Sequence, residues 1–439
     1  MSKHLYYKLC LQPLSPFVIG SGQEYNSDID IVLDSLGRPY IPGTSVAGLL
    51  RSFANDPVEL FGNVTINTSD DAKEGEKVKA IPSKVFVYDG LLAENVNGSV
   101  DIRDNVALNE WKVVEGKAKF DYEICDTADV FTSYLEVDKN NYTDTIESEI
   151  EKLLTRFLSY EYGLGGKTSR GFGRFGLTVY KKTFTWPVDI SDWLKFDMFA
   201  EADWADKDRI SLDKENIRYT VLKVPLELCG GISIRRYTAE VGENVPDYEH
   251  LKCQGKPVIP GTSWSGAFRS RINEFLKGVK DVDTERWFGK LGEKSLIVFE
   301  ESEIVGGSSK TISRNSIDRF SAATKERSLY TERTHWGGTT ELTIRFPSEF
   351  TDQKFLLIKP LIWSCVLDLI EGMLPVGGLV SVGRGVFKLK PGEKITLNGE
   401  KKDLDVLEKE MHLRREKITP YEEKKEFDTL EKEVCIERV

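Results

Sequence analysis

Ile41-Pro42-Gly43-Thr44-Ser45-Val46-Ala47-Gly48-Leu49-Leu50-Arg51-Ser52 returns 218 residues later as Ile259-Pro260-Gly261-Thr262-Ser263-Trp264-Ser265-Gly266-Ala267-Phe268-Arg269-Ser270, identical at eight of twelve positions. A repeat of that period means a duplicated domain. The features that follow keep the same order in each half. Leu60-Phe61-Gly62 answers Trp287-Phe288-Gly289, and a strand-like Ser83–Tyr88 answers Ser295–Phe299. Each half closes on a glycine cluster, Gly165-Gly166-Lys167-Thr168-Ser169-Arg170-Gly171-Phe172-Gly173-Arg174 against Gly377-Gly378-Leu379-Val380-Ser381-Val382-Gly383-Arg384-Gly385. Each half opens on a strand, Tyr6 to Leu14 and Tyr219 to Leu228.

Within one copy, Pro-Gly predicts a turn and Thr44 or Ser45 a helix N-cap, with Thr262 and Ser263 in the same role. Val46, Leu49, Leu50 and Phe53 fall at i, i+3, i+4 and i+7, so one helix face turns inward. Gly48 and Gly266 sit where that helix is expected to approach a sheet closely. Strand, helix, strands, helix, glycine loop and final strand is the order of a ferredoxin-like βαββαβ unit, an α+β architecture. The expected organisation is two tandem ferredoxin-like (RRM-like) domains, 1–198 and 217–395, an acidic linker 199–216 and a charged helical tail 396–439. Charged, turn-rich insertions near 90–125 and 300–340 are expected to project as hairpins.

The chain has 439 residues, 30% charged, with 60 Lys and Arg against 71 Asp and Glu, a net charge of −11. Indiscriminate coating of nucleic acid runs on excess positive charge, so any RNA contact must be local. Residues 189–215 hold nine acidic residues against four basic ones, the pattern of a solvated linker. From 401 to 439, 22 of 39 residues are charged, and Leu404, Leu407, Met411 and Phe427, Leu430, Val434 suggest two amphipathic helices. The greasiest stretch, Phe355–Ile370, contains Lys359, Pro360 and Asp368, too polar for a membrane span. Six cysteines form no CxxC pair, and no signal segment precedes the first strand. A cytoplasmic protein with reduced thiols and no zinc site is expected.

Gly166-Lys167-Thr168 lacks the P-loop glycine five residues earlier, where Glu161 stands. Gly171-Phe172-Gly173 precedes a strand rather than opening a helix, so it does not read as a dinucleotide loop. Such a loop instead presents N–H groups and Lys167, Arg170 and Arg174 to a phosphodiester, with Arg384 in the second copy. Helix starts at Thr44-Ser45 and Thr262-Ser263 also favour phosphate, with Arg51 and Arg269 further along. The four histidines share no local motif with a nucleophile. Carboxylates gather in the loop before each IPG turn: Glu24, Asp28, Asp30 and Asp34 in the first, and Glu240, Glu243, Asp247 and Glu249 in the second, beside Arg235 and Arg236, two further expected RNA contacts. There a carboxylate can hold a divalent cation or take a proton from a ribose 2′-OH.

The paired IPGTSxxGxxRS turn-helices, the acidic loops before them, Asn315-Ser316-Ile317-Asp318-Arg319 with Leu329-Tyr330-x-Glu332, and the closing Gly-Gly-x-x-Ser-x-Gly-x-Gly together resemble the RAMP superfamily of CRISPR systems. The chain is most similar to backbone subunits of type III effector complexes, two of them fused in tandem. The resemblance spans residues 5–182 and 217–392. It implies a cytoplasmic antiviral ribonucleoprotein whose partners are CRISPR guide RNA, complementary target RNA and other effector subunits, with no membrane. It implies hairpin thumbs at 100–123 and 313–333 that splay out a nucleotide, with Arg314, Arg319 and Arg327 as RNA contacts. It further implies guide-directed endoribonuclease activity from a loop aspartate before the IPG turn. Asp28 best matches that position, Asp247 more loosely, each also as ligand of a divalent ion, magnesium or manganese. Two alternatives remain open: a non-catalytic guide-RNA scaffold, and a precursor-processing endoribonuclease, which would lean on a histidine near the first helix.

Overall fold

The structure, a computed structural model, describes residues 2–66, 78–108, 114–158, 163–212, 219–237, 245–277, 284–290, 293–326, 328–348 and 357–411. The chain divides into two compact units at Ile217/Arg218, with Val106–Lys119 and Ser169–Gly171 grouped with the second. Residues 412–439, including the second expected tail helix, and Arg327 lie outside the described residues.

In the first unit, β1 (Lys3–Pro13) alternates: Leu5, Tyr7, Leu9 and Leu11 face the main core while His4, Tyr6 and Lys8 point the other way. It is followed by α1 (Gly43–Phe53), β2 (Phe86–Val87), the hairpin β3 (Val100–Leu108) and β4 (Val114–Cys125), β5 (Phe131–Val137), α2 (Asp144–Leu158) and β6 (Phe175–Thr185). The antiparallel sheet runs β2-β5-β1-β6, with Arg209–Ile210 at its far edge. Val46, Leu50 and Phe53 of α1 and Ile146, Ile150, Leu153, Leu154 and Phe157 of α2 bury their stripes on one face.

The second unit repeats the path: β7 (Tyr219–Cys229), α3 (Gly261–Phe275), β8 (Val298–Phe299), the hairpin β9 (Ser308–Arg314) and β10 (Tyr330–Trp336), β11 (Thr339–Pro347), α4 (Ile358–Ile370) and β12 (Val386–Leu389). Its sheet runs β8-β11-β7-β12 in the same order as the first, and on the β12 side of β7 the strands Ile395–Leu397 and Glu400–Lys402 add to it, so the expected helical tail begins as strand. Both units are therefore α+β folds of the βαββαβ type, each with a hairpin inserted before its third sheet strand. The greasy stretch is α4, apolar nearly all round because Trp264, Phe268, Phe387 and Leu407 surround it in one core. Leu407 belongs to the helix Leu404–Met411 of the charged tail. No helix among the described residues is long and apolar enough to cross a membrane.

Three local expectations change. Pro42 and Pro260, not Thr44/Ser45 or Thr262/Ser263, stand at the N-caps, and neither N-cap residue has a side chain that caps its helix. Instead the Gly43 N–H donates to Asp89 Oδ1 at 2.7 Å. Gly48 and Gly266 face open space; the close approach is at Gly43, where a Cβ would lie 2.4 Å from the Val87 carbonyl, and at Gly261, 2.0 Å from that of Phe299. The acidic segment expected as a solvated linker is instead packed on the first sheet. Its apolar residues decide this: Trp204 is buried with Tyr6, Tyr134 and Phe184, joined by Trp193, Phe196 and Met198. Glu201 reaches Lys8, whose Nζ is 2.7 Å away on a buried side chain.

Candidate functional site

In the first unit the loop 21–34 is laid along β4. Buried Glu123 accepts the Ile31 N–H at 3.0 Å and the Asn26 side-chain amide at 3.1 Å, and its own N–H donates to the Ile29 carbonyl. Asp30 is buried at the loop's centre, where it accepts the N–H groups of Tyr25 (2.7 Å) and Ser27 (2.9 Å) and the Ser27 hydroxyl (3.0 Å). Burial pushes the Asp30 carboxyl up, but the Tyr25, Asn26 and Ser27 donors outweigh it and hold the group below its usual value. Asp34 is held low by the Arg38 N–H first, then by the Leu36 N–H and the Arg38 guanidinium. Both of these aspartates are spent on shaping the loop.

Asp28 is different. It is exposed, its Oδ2 accepts the Asp121 N–H at 2.9 Å, and its own N–H donates to Asp121 Oδ1 at 3.1 Å. Asp28 Oδ1 has no partner among the described residues. In the second unit Asp247 is likewise exposed; its Oδ2 accepts the Thr331 N–H at 2.6 Å and its N–H donates to the Thr331 carbonyl at 2.9 Å. Each loop thus hangs one aspartate from the returning strand of its hairpin, one carboxylate oxygen fixed and the other without a partner among the described residues.

The glycine loops are built alike. Gly173 N–H donates to the Pro16 carbonyl and Gly385 N–H to that of Gly231, both at 2.8 Å, while Leu164 and Val376 N–H return to the Gly173 and Gly385 carbonyls. That register pairs Lys167 with Leu379, and both adopt left-handed backbone, φ 57° and 58°. Lys167 Nζ lies 5.9 Å from the Phe120 ring and 5.5 Å from the Tyr122 ring, which flank Asp121. The first unit therefore gathers Lys167 and Asp28 around Phe120-Asp121-Tyr122. The second gathers Asp247, Tyr248 and Arg235 around Tyr330-Thr331-Glu332: Tyr248 stacks on Tyr330, and Arg235 lies 4.2 Å above the Tyr248 ring.

The remaining cations divide. Arg51, Arg170, Arg174, Arg236 and Arg269 are half-buried, and Thr44 and Arg319 are exposed, with Arg319 in the loop joining β9 to β10. Ser45, Thr262 and Ser263 are half-buried on the first turns of α1 and α3. Arg314 keeps part of its surface while its Nη2 sits 3.4 Å from Glu332. Arg384, expected to face RNA, does not: it is buried, with Nη2 3.1 Å from Glu332 Oε1 and Nη1 2.8 Å from Thr334 Oγ1. Burial pulls its guanidinium below the usual value while Glu332 opposes. In glycine-loop register Arg384 matches Phe172, which explains why it points inward.

Sequence reasoning missed Asp121, Glu123 and Tyr248, because their roles arise from strand register; only the loop carboxylates carried a local signal. His4, His250 and His335 are all buried, so no described histidine is placed to serve as a solvent-facing acid or base. Among the described residues no three His, Cys, Asp or Glu side chains form a metal-binding group.

A family profile described as RAMPs: RAMP superfamily matches residues 10–176 and 240–388, one region in each unit. No curated protein matches the chain.

Proposed function

The chain belongs to the RAMP superfamily of CRISPR-associated RNA-binding subunits, and from that premise we propose that it is a fused double backbone subunit of a type III effector, holding guide RNA and cutting complementary RNA. The observation that carries the proposal is the recurrence of one exposed, half-anchored loop aspartate per unit, at Asp28 and Asp247. An anchored carboxylate with one open oxygen is suited to take a proton at a defined point, and held geometry is worth much of a catalytic barrier.

In the step itself, the ribose 2′-OH attacks the adjacent phosphorus as its proton passes to Asp28 Oδ1. The P–O5′ bond breaks, leaving a 2′,3′-cyclic phosphate; the leaving 5′ oxygen takes a proton from water, and the hydroxide so formed takes the proton held on Asp28. Magnesium or manganese, when bound, would lower the charge on the phosphate. A magnesium ion completed by water and RNA phosphate asks for only one or two protein carboxylates, so Asp28 and Asp247 would each hold it through an intervening water, which leaves the open carboxylate oxygen to the proton. Lys167, Arg170 and Arg174 would lie along the guide backbone, and Arg235, Arg314 and Arg319 would serve the second unit.

Product mapping in the assembled, guide-loaded complex tests this. Asp28→Ala should remove one set of cuts and Asp247→Ala another, with guide binding unchanged. If both variants yield every wild-type product, the chain is a non-catalytic scaffold.

A further inference from the structure

Resting on that reading, we infer that Asp121 is the positioning residue of the first site, which the second site replaces with backbone. Asp28 is exposed, so packing does not hold it in place. Its two hydrogen bonds to the hairpin strand both go to Asp121: the Asp28 carboxylate takes the Asp121 N–H, and the Asp28 N–H gives itself to the Asp121 carboxylate. The pair is closed on both sides, which fixes the loop residue's backbone and its side chain together. In the second unit the first of these bonds is kept, Thr331 N–H to Asp247 Oδ2, but the Asp247 N–H ends on the Thr331 carbonyl. Only the first site therefore depends on a side chain, and only there does one substitution loosen the clamp without touching the reacting carboxylate.

The contribution assigned to Asp121 is the acceptor, not its charge. Asp121→Asn keeps an oxygen at the same place to receive the Asp28 N–H, whereas Asp121→Ala removes it. Displacement by about 1 Å costs on the order of a hundredfold in rate. In the guide-loaded complex, Asp121→Ala should slow the Asp28 cuts by roughly ten- to a hundredfold, leave the Asp247 cuts at wild-type rate as an internal control, and leave RNA affinity unchanged. Asp121→Asn should stay within about threefold of wild type, a loss well short of a 1 Å displacement. Hydrogen exchange read by mass spectrometry supplies a measure independent of cleavage: the peptide bearing the Asp28 amide should exchange faster in Asp121→Ala and not in Asp121→Asn.

Wild-type cutting by Asp121→Ala overturns the inference. So does equal slowing by Asp121→Asn, which would assign the effect to charge, and so does any slowing that comes with lost RNA affinity. Asp121→Val, a strand former without an acceptor, takes the place of Asp121→Ala if the latter does not assemble. Asp28→Ala is run beside them. If it retains every cut, the cleavage reading falls and the positioning role with it; if it loses its cuts while Asp121→Ala keeps them, only the positioning role falls.

Discussion

The same internal position is filled in opposite ways in the two units. The hydrogen bonds to Asp28 and Asp247 put Tyr122 in register with Glu332, and the glycine-loop bonds put Phe172 in register with Arg384. In the first unit the two meet as an aromatic pair, edge to face with ring centroids 6.0 Å apart. In the second they meet as a buried ion pair at 3.1 Å, with Arg384 also 4.7 Å from the Trp336 ring and Glu332 Oε2 without a hydrogen bond among the described residues. One backbone therefore accepts either plug. What differs is the penalty for breaking it, since a lone buried charge is far less tolerable than a lone buried ring.

Breaking that pair gives the largest effect expected on stability. Glu332→Ala alone should destabilise the second unit by about 3–5 kcal/mol, because the Arg384 charge stays buried, and Arg384→Ala should cost less, because Arg314 Nη2 remains 3.4 Å from Glu332. Installing the first unit's residues together, Glu332→Tyr with Arg384→Phe, should be close to neutral or stabilising by ~1–4 kcal/mol. Urea unfolding of the full chain, with hydrogen exchange in peptides from 330–336 to locate the loss, measures both. A double variant as unstable as either single one would show that the two plugs are not interchangeable.

A second contrast lies in the histidines. His250 is buried with its ring 6.1 Å from His335; burial, reinforced by His335 and opposed by the Val258 backbone, pushes its imidazole down to about 3. A group whose folded pKa is depressed is neutral in the fold, while the unfolded chain takes up a proton below about 6.5. Its stabilisation is complete above that value and is lost as pH falls toward 3. The second unit should therefore weaken by about 1.4 kcal/mol per pH unit from this residue alone. His250→Gln should remove that part of the slope. Unfolding midpoints between pH 7 and 4.5 that run parallel in wild type and variant would remove His250 as the cause.

Most of the architecture was open to inspection in the chain because it is duplicated. A repeated IPGTS turn, a 3.6-residue apolar stripe and paired glycine clusters each carry local physical meaning, and the βαββαβ path follows from their order. What stayed hidden depends on register. The family resemblance pointed to Asp28, but no local chemistry of the sequence separates it from Asp30 and Asp34 until the Tyr25, Ser27, Leu36 and Arg38 amides are seen to consume the latter two. Arg384 looked like a phosphate ligand because it neighbours glycines, and only pairing with Glu332 reveals an inward side chain. The acidic segment misled for a related reason: charge counts ignored Trp193, Phe196 and Trp204, whose burial outweighs the solvation of their neighbours.

The smallest expected effect is also the finest comparison of the two glycine loops. Lys167 and Leu379 share a left-handed backbone and a place in the loop, so exchanging their side chains changes charge while leaving conformation alone. Each phosphate contact with a single strand contributes roughly 0.7 to the slope of log affinity against log salt. Lys167→Leu should flatten the slope for guide RNA by about that amount, and Leu379→Lys should steepen it by the same amount if the second loop also faces the backbone. Adding Arg170→Gln and Arg174→Gln to Lys167→Leu should flatten it by about 2 in all. Because the slope counts contacts rather than affinity, it separates a lost phosphate contact from a loosened fold. An unchanged slope in the triple variant would mean that the first glycine loop does not face RNA, and the guide path would then have to be sought on the hairpins, beside Arg235, Arg314 and Arg319.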